Sequence, residues 1–332
     1  MSLGRRWLGG LAALLLAGAA LGAMLVHDDR GGARAHTAAS AVPAWLPAMA
    51  APVPPPDPGA LRVDWLATHP ALPDLGIHAD GAVLLDLDTR EVLWARDPHG
   101  ARPPASLTKL VTAMVAADLA TSLDQQVTVP AEATQLSWDQ TQMGLSAGEV
   151  VTVRDLMYGL FLVSANDSAE TLARVFTTRD HFVQLMNDKA AALGMLDSHF
   201  TNPTGLDDPG LRASAYDLAA AAVTMAWRYP SLMALAAARE QDLPATDSHK
   251  EYFLRTLIKL VSVYPGATGL KTGYTDDAGY CLVGTATRGD RHLAVALLHS
   301  DLALTVDATR LLEYGFALAG PESYDPASYS QV

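Results

Sequence analysis

The spacing of apolar positions changes in a definite order along the chain. Trp7 to Val26 form one uncharged run, long enough to cross a bilayer as a helix. After a stretch rich in Ala, Pro and Gly, residues Gly81 to Leu87 and Glu91 to Arg96 read as two strands joined by the turn Asp88-Thr89-Arg90. Leu107, Leu110, Val111, Met114, Val115 and Leu119 then recur at helical spacing. From Asp118 to about Leu243 the pattern stays mainly helical, with Thr152 to Asp155 as an N-cap region ahead of Leu156, Leu160 and Phe161. Beyond Lys271 strands return, at Gly279 to Thr287 and His292 to His299 around the turn Arg288-Gly289-Asp290, and Leu302 to Leu318 closes as a helix. This order predicts an α+β fold: an antiparallel sheet built from both chain ends and flanked by helices, with a mainly helical subdomain inserted in the middle.

The same pattern divides the chain. Residues 1–27 are a signal or transmembrane anchor, 28–60 an Ala/Pro-rich linker, 61–320 the folded domain and 321–332 a tail. Arg5 and Arg6 precede the apolar run and stay inside, which places the remainder outside. A cleaved signal peptide is the rival reading. Its apolar core would be shorter, and the best small-x-small site, Ala33-Arg34-Ala35, lies well beyond the run, so a retained anchor is favoured. Val53-Pro54-Pro55-Pro56-Asp57-Pro58 is a semi-rigid extended spacer.

Charge and composition remove several classes. A formal net charge of −13 argues against a nucleic-acid partner. The one cysteine, Cys281, permits no intrachain disulfide and lies in an apolar strand, where a buried inert thiol is expected. No metal-ligand spacing is present and no cofactor is expected.

Three short stretches carry candidate chemistry. Pro103-Pro104 leads stiffly into Ala105-Ser106-Leu107-Thr108-Lys109, where Ser106 and Lys109, one turn apart, share a helix face. A serine hydroxyl needs a base, and a neutral lysine can be one. Ser-x-x-Lys also arises by chance on ordinary helices. Ser164-Ala165-Asn166 lies at a helix–helix junction, where a hydroxyl and an amide can relay a proton and hold a substrate amide, or simply cap a helix. Lys271-Thr272-Gly273-Tyr274 opens the second set of strands. It offers a charge, a hydroxyl and a bare edge for strand addition, or is an ordinary strand leaving a turn.

Taken together, Ser-x-x-Lys, Ser-x-Asn and Lys-Thr-Gly in that order are the signature shared by penicillin-binding proteins and class A β-lactamases. Met143-Gly144-Leu145, Ser164-Ala165-Asn166-Asp167, Leu193-Gly194-Met195, Asn202-Pro203-Thr204-Gly205-Leu206 and Lys271-Thr272-Gly273-Tyr274-Thr275 sharpen the match. From Ile77 to Ala319 the chain resembles the serine D-alanyl-D-alanine carboxypeptidases of the peptidase S11 type. The resemblance implies a β-lactamase/transpeptidase-like fold and an exported enzyme at the extracytoplasmic face of the membrane. Its substrate would be the peptidoglycan stem peptide, with β-lactams as inhibitors. It assigns Ser106 as nucleophile, Lys109 as base, Ser164 as proton relay and Asn166 as holder of the substrate amide. Lys271 and Thr272 would bind the carboxylate, Gly273 would line the strand edge, and the N–H groups of Ser106 and Tyr274 would hold the oxyanion. Alternatives are a D,D-endopeptidase cutting crosslinks, a serine β-lactamase and a catalytically dead wall-binding module. The β-lactamase reading lacks its deacylating glutamate, since none lies between Thr171 and Arg239.

The chain also departs from the family pattern. Ala165 stands where many relatives carry glycine, and Thr256 to Val261 reads Thr-Leu-Ile-Lys-Leu-Val in place of Asn-x-Asn-x-Leu-Leu. Some relatives place an arginine near the substrate carboxylate just before the final helix, but Ser300 to Asp307 contains none. A second β-rich domain and a C-terminal amphipathic helix are not expected after Phe316, which leaves tethering to the N-terminal run. The mature protein is therefore predicted to keep its N-terminus and to need detergent for extraction. N-terminal sequencing that begins near His36, from freely soluble protein, would refute the anchor.

Overall fold

The computed structural model describes residues 61–318. The expected anchor (1–27), linker (28–60) and tail (321–332) lie outside the described residues. Among the described residues no helix is long and apolar enough to cross a membrane.

A short helix, α1 (Asp64–Thr68), precedes the hairpin β1 (Gly81–Asp86) and β2 (Val92–Arg96). A 3₁₀ turn, Ala105–Thr108, runs directly into α2 (Lys109–Leu119). The middle of the chain holds β3 (Gln126–Thr128), β4 (Val150–Thr152), α3 (Val153–Leu162), α4 (Asn166–Val175), α5 (Arg179–Ala192), α6 (Ala215–Arg228) and α7 (Pro230–Ala236). Then follow β5 (Glu240–Leu243), β6 (Tyr252–Arg255) and α8 (Lys259–Val263), and last β7 (Ala267–Thr275), β8 (Gly279–Arg288), β9 (Arg291–Ser300) and α9 (Leu304–Ala317).

The main sheet has the order β2-β1-β9-β8-β7, and every pair in it is antiparallel. Strands from both ends of the described chain thus meet in one sheet, through the pairing of β1 with β9. Successive strand residues point to opposite faces. Val83 and Leu85 of β1, with Ala294, Ala296 and Leu298 of β9, join the larger core on the side of the helical insertion. Ala82, Leu84, Leu293, Val295 and Leu297 join a second core under α8 and α9. Both faces are covered, which is why β1 is buried at every position despite being antiparallel. The fold is α+β.

Within the insertion α2 is buried on all sides from Lys109 to Ala116 and packs against α3, α4, α5 and α6. Thr152 caps α3 reciprocally: its Oγ1 accepts from Asp155 N, and the Asp155 carboxylate accepts from Thr152 N. Two small hairpins, β3–β4 and β5–β6, interrupt the stretch expected to be mainly helical. Each of their strands is only three or four residues long, too short for alternation to stand out from the flanking helical pattern.

One buried carboxylate ties the sheet to the final helix. Asp307, in the first turn of α9, accepts from His78 N at 2.9 Å, Ala79 N at 3.0 Å and Ser300 Oγ at 3.1 Å, and pairs with the His78 ring. Its charge holds the His78 imidazole above its ordinary value. Asp307→Ala orphans these donors and is predicted to cost about 2–4 kcal/mol of unfolding free energy by urea titration. Loss of under about 0.5 kcal/mol, the range of a surface change, would show that the carboxylate is dispensable.

Candidate active site

The turn before Ser106 is tighter than the two prolines alone suggest. Pro104 has φ −89° and ψ −4°, and the chain breaks at Ala105, which has φ +48°. Ser106 sits in the 3₁₀ turn, where side chains at i and i+3 eclipse, so its hydroxyl lies over Lys109. Lys109 Nζ is 2.9 Å from Ser106 Oγ. The turn is pressed from outside by Gly205, which has φ +84°, and a Cβ there would stand 1.9 Å from Ala105 O. Only glycine meets both the left-handed backbone and the close approach.

Two further oxygens surround the Lys109 amine. Nζ is 2.7 Å from Asn166 Oδ1 and 2.6 Å from Thr204 O. The Thr204 carbonyl is held by an Asn202 loop: Asn202 Oδ1 accepts from Thr204 N, Thr204 Oγ1 and Gly205 N, while Nδ2 donates to Leu206 O. Thr112 Oγ1 of α2 donates to Pro203 O at 2.7 Å. The resemblance marked this motif, but its spacing alone shows only a turn, so its role as the third wall around Lys109 was missed.

Asn166 opens α4, with three residues between it and the end of α3. Ser164, in the junction, has φ +58°, whereas Ala165 has φ −59°. The left-handed residue is therefore the serine, and alanine at 165 meets no conformational obstacle. Asp167 is fully buried, and its carboxylate accepts from the backbone N–H groups of Met143, Gly144, Leu145 and Ser168. Thr141 O accepts from Asn166 N, and Thr141 Oγ1 donates to Ser164 O. The Met143 loop and the junction are thereby fixed to each other, a second role the sequence did not expose.

Lys271 reaches this junction from β7. Its Nζ is 2.9 Å from Ser164 Oγ and 2.7 Å from Thr272 O. Both lysines are fully buried. Burial and the neighbouring Lys271 charge pull the Lys109 amine well below its ordinary value, against a smaller upward pull from Glu170 and Asp167. Burial alone takes Lys271 down to about 7. Cys281, in the next strand, is fully buried and its thiol is pushed up to about 12, the inert state expected for it.

The remaining candidates lie along β7, at the edge of the sheet. Thr272 Oγ1 donates to Cys281 O at 3.2 Å. A Cβ on Gly273 would stand 2.8 Å from Ser106 N, so the strand passes directly against the serine turn. The Tyr274 side chain points outward, with its ring against Tyr280 and its hydroxyl donating to Asp276. The structure thus brings Ser106, Lys109, Ser164, Asn166, Lys271 and Gly273 together, with Thr272 between the last two on the strand and the Tyr274 side chain outside the group.

Nearby acids are engaged elsewhere. Glu170 is held by Arg174 and Arg179, Asp197 pairs with His99, and Asp207 accepts from Thr275 Oγ1 at 2.7 Å. Among the described residues no cluster of His, Cys, Asp or Glu is disposed to hold a metal ion.

The buried Lys271 gives a pH signature. Its folded-state value, about 7, lies below the roughly 10.4 of an unfolded lysine, so above pH 7 the unfolded chain binds the extra proton. Stability contributed through this group is absent below pH 7 and rises with pH, by up to about 1.4 kcal/mol per unit. Lys271→Met should therefore show a shallower rise in unfolding free energy between pH 7 and 9 than wild type. Parallel profiles for the two proteins would show that Lys271 is not depressed.

Against known proteins, residues 67–301 match the D-alanyl-D-alanine carboxypeptidase family, Peptidase S11. The chain is 37% identical over 243 residues to D-alanyl-D-alanine carboxypeptidase DacB2 of Mycobacterium tuberculosis, covering 71% of this chain and 81% of that protein. It is 31% identical over 252 residues to D-alanyl-D-alanine carboxypeptidase DacF of Bacillus subtilis, covering 74% of this chain and 64% of that protein. A crystal structure of D-alanyl-D-alanine carboxypeptidase from Mycobacterium tuberculosis superposes with a TM-score of 0.69 at 35% identity, covering 77% of this chain and 96% of that one. The serine–lysine turn and its two partner stretches therefore lie in a chain that belongs to the Peptidase S11 family of D-alanyl-D-alanine carboxypeptidases, serine-type peptidase hydrolases.

Proposed function

We propose that residues 61–320 are the catalytic domain and that Ser106 carries the acyl group while the terminal D-alanine is removed from a peptidoglycan stem pentapeptide. One observation carries this reading: the fully buried Lys109 amine faces three oxygens and no carboxylate. A neutral amine has two N–H donors and one lone pair. Donating to Asn166 Oδ1 and Thr204 O leaves the lone pair facing Ser106 Oγ–H. A free lysine is neutral in fewer than about one molecule in a thousand at pH 7, so burial and the Lys271 charge are what make the base available.

Lys109 takes the Ser106 proton as Oγ attacks the carbonyl between the two D-alanines. The substrate backbone lies along the free edge of β7, where Gly273 leaves room, and Asn166 holds its amide. The N–H groups of Ser106 and Tyr274 hold the oxyanion. Ser164, bonded to Lys271, relays to the leaving amine the proton that Lys109 took from Ser106, and D-alanine departs. Water then attacks the Ser106 ester, Oγ recovers its proton and the shortened peptide leaves. The enzyme works on the extracytoplasmic side of the membrane, held there by the N-terminal run.

A β-lactam would acylate Ser106 in the same way, but its leaving group stays tethered. With Glu170 held by two arginines and no glutamate from Thr171 to Arg239, the deacylating glutamate of a class A β-lactamase has no counterpart. Intact-mass spectrometry with benzylpenicillin should show one adduct lasting minutes or longer, absent in Ser106→Ala. Rapid turnover of the drug without an adduct would favour a β-lactamase. Lys109→Arg keeps the charge but cannot give up its proton, and should slow acylation by roughly 10²–10⁴-fold. A folded Lys109→Arg protein acylating at the wild-type rate would assign the base elsewhere. Release of D-alanine from pentapeptide, and not cleavage of crosslinked dimers, separates the carboxypeptidase from an endopeptidase.

A further inference from the structure

A peptide cut by a carboxypeptidase ends in a free carboxylate, and a carboxylate leaving water needs a cationic partner. The cations of β7, β8, β9 and α9 are committed. Lys271 is fully buried and turned to Ser164 and the Thr272 carbonyl, with a value near 7 that leaves it only partly charged at neutral pH. On α9, Arg310 donates to Gly76 O at 2.6 Å. Arg288 is paired with Glu313, and Arg291 with Asp86. Ser300 to Asp307 contains no arginine.

Behind Thr272 lies a cavity of about 150 Å³ whose polar lining comes from Thr272, Tyr280, Asp301, Thr305 and Lys259. Lys259 is the one cation among the lining residues. It starts α8, which packs on β7, and it is exposed to solvent. Among the described residues its side chain makes no hydrogen bond or ion pair. Asp301 is turned to its own helix start, accepting from Ala303 N at 2.7 Å. Leu257 and Leu302, both exposed, give the cavity apolar walls.

We propose that Lys259 supplies the positive charge that selects substrates ending in a free carboxylate, with the Thr272 hydroxyl as its neutral partner. This rests on the carboxypeptidase reading of the Ser106 site. The terminal D-alanine enters the cavity, its carboxylate between Lys259 and Thr272 and its methyl toward the apolar wall. Lys259 acts on binding and not on proton transfer. Lys259 falls on an unspecified position of the Asn-x-Asn-x-Leu-Leu pattern, and with no arginine from Ser300 to Asp307 the selecting charge is assigned to the segment before β7.

The test compares a pentapeptide ending in D-Ala-D-Ala with the same peptide bearing a C-terminal amide, for wild type, Lys259→Gln and Lys259→Arg. Wild type should prefer the free acid. Lys259→Gln should lose about tenfold or more in kcat/KM on the acid, mostly through KM, the fold-change of one charge-assisted hydrogen bond, and little on the amide. Lys259→Arg should keep the preference. Lys259 is exposed, so the variants should melt as wild type does. A folded Lys259→Gln protein with an unchanged acid-to-amide ratio overturns this inference alone. Wild type that cleaves neither peptide, releasing neither D-alanine nor D-alaninamide, overturns the carboxypeptidase reading, and this inference with it.

Discussion

The constraint on which the site depends is that two neighbouring lysines are buried with no carboxylate among the described residues to pair with. Lys109 and Lys271 are each fully enclosed, and their nearest polar neighbours are hydroxyls, one side-chain amide oxygen and backbone carbonyls. Burying a charged ammonium costs several kcal/mol even after relaxation. A lysine in that position meets the cost by giving up its proton. A carboxylate in contact would have stabilised the charge and made the amine useless as a base. The acids of the region are instead held at a remove: Asp167 by four backbone N–H groups, Glu170 by two arginines.

Local strain follows from the same constraint. Ala105 and Ser164, neither of them glycine, adopt left-handed backbone conformations at roughly 1–3 kcal/mol each. The first swings the Ser106 turn over Lys109, and the second brings the Ser164 hydroxyl to Lys271. Gly205 braces the first turn through direct contact with Ala105 O, and Thr141 braces the second through Ser164 O. Strained backbone at a site persists only where its surroundings over-determine it, and both positions are held from outside.

The sheet was readable in the sequence because its central strands are apolar runs bounded by clear turn residues. β1, β8 and β9 alternate or run apolar between clear turn residues, and the helices α2 and α3 carry their own spacing and cap. The small hairpins were not readable, because three residues cannot show a period. At the site, the i, i+3 relation of Ser106 and Lys109 was visible, since helical and 3₁₀ geometry both place such residues on one face. The left-handed Ala105 and Ser164 were not, because no local rule puts an alanine or serine there. Asn202 and Asp167 were hidden for another reason. Asp167 works through long-range bonds to the 143–145 loop, and Asn202 shapes a local turn whose Pro203 and Thr204 carbonyls reach Thr112 and Lys109 of α2; such distant contacts leave no mark on local spacing.

The pairing of β1 with β9 sets when this site can exist during folding. Ser106, Lys109 and Asn166 belong to the first and middle parts of the described chain, while Lys271 arrives on a strand 107 residues after Ser164. Contacts so distant in sequence form late, because loop closure must be met before they reward it. Until β7 docks, Lys109 lacks both its cationic neighbour and its full enclosure, and so remains an ordinary protonated lysine beside a serine that does not react. On the proposed mechanism an incomplete chain is therefore chemically silent, and reactivity appears only with the last strands of the sheet.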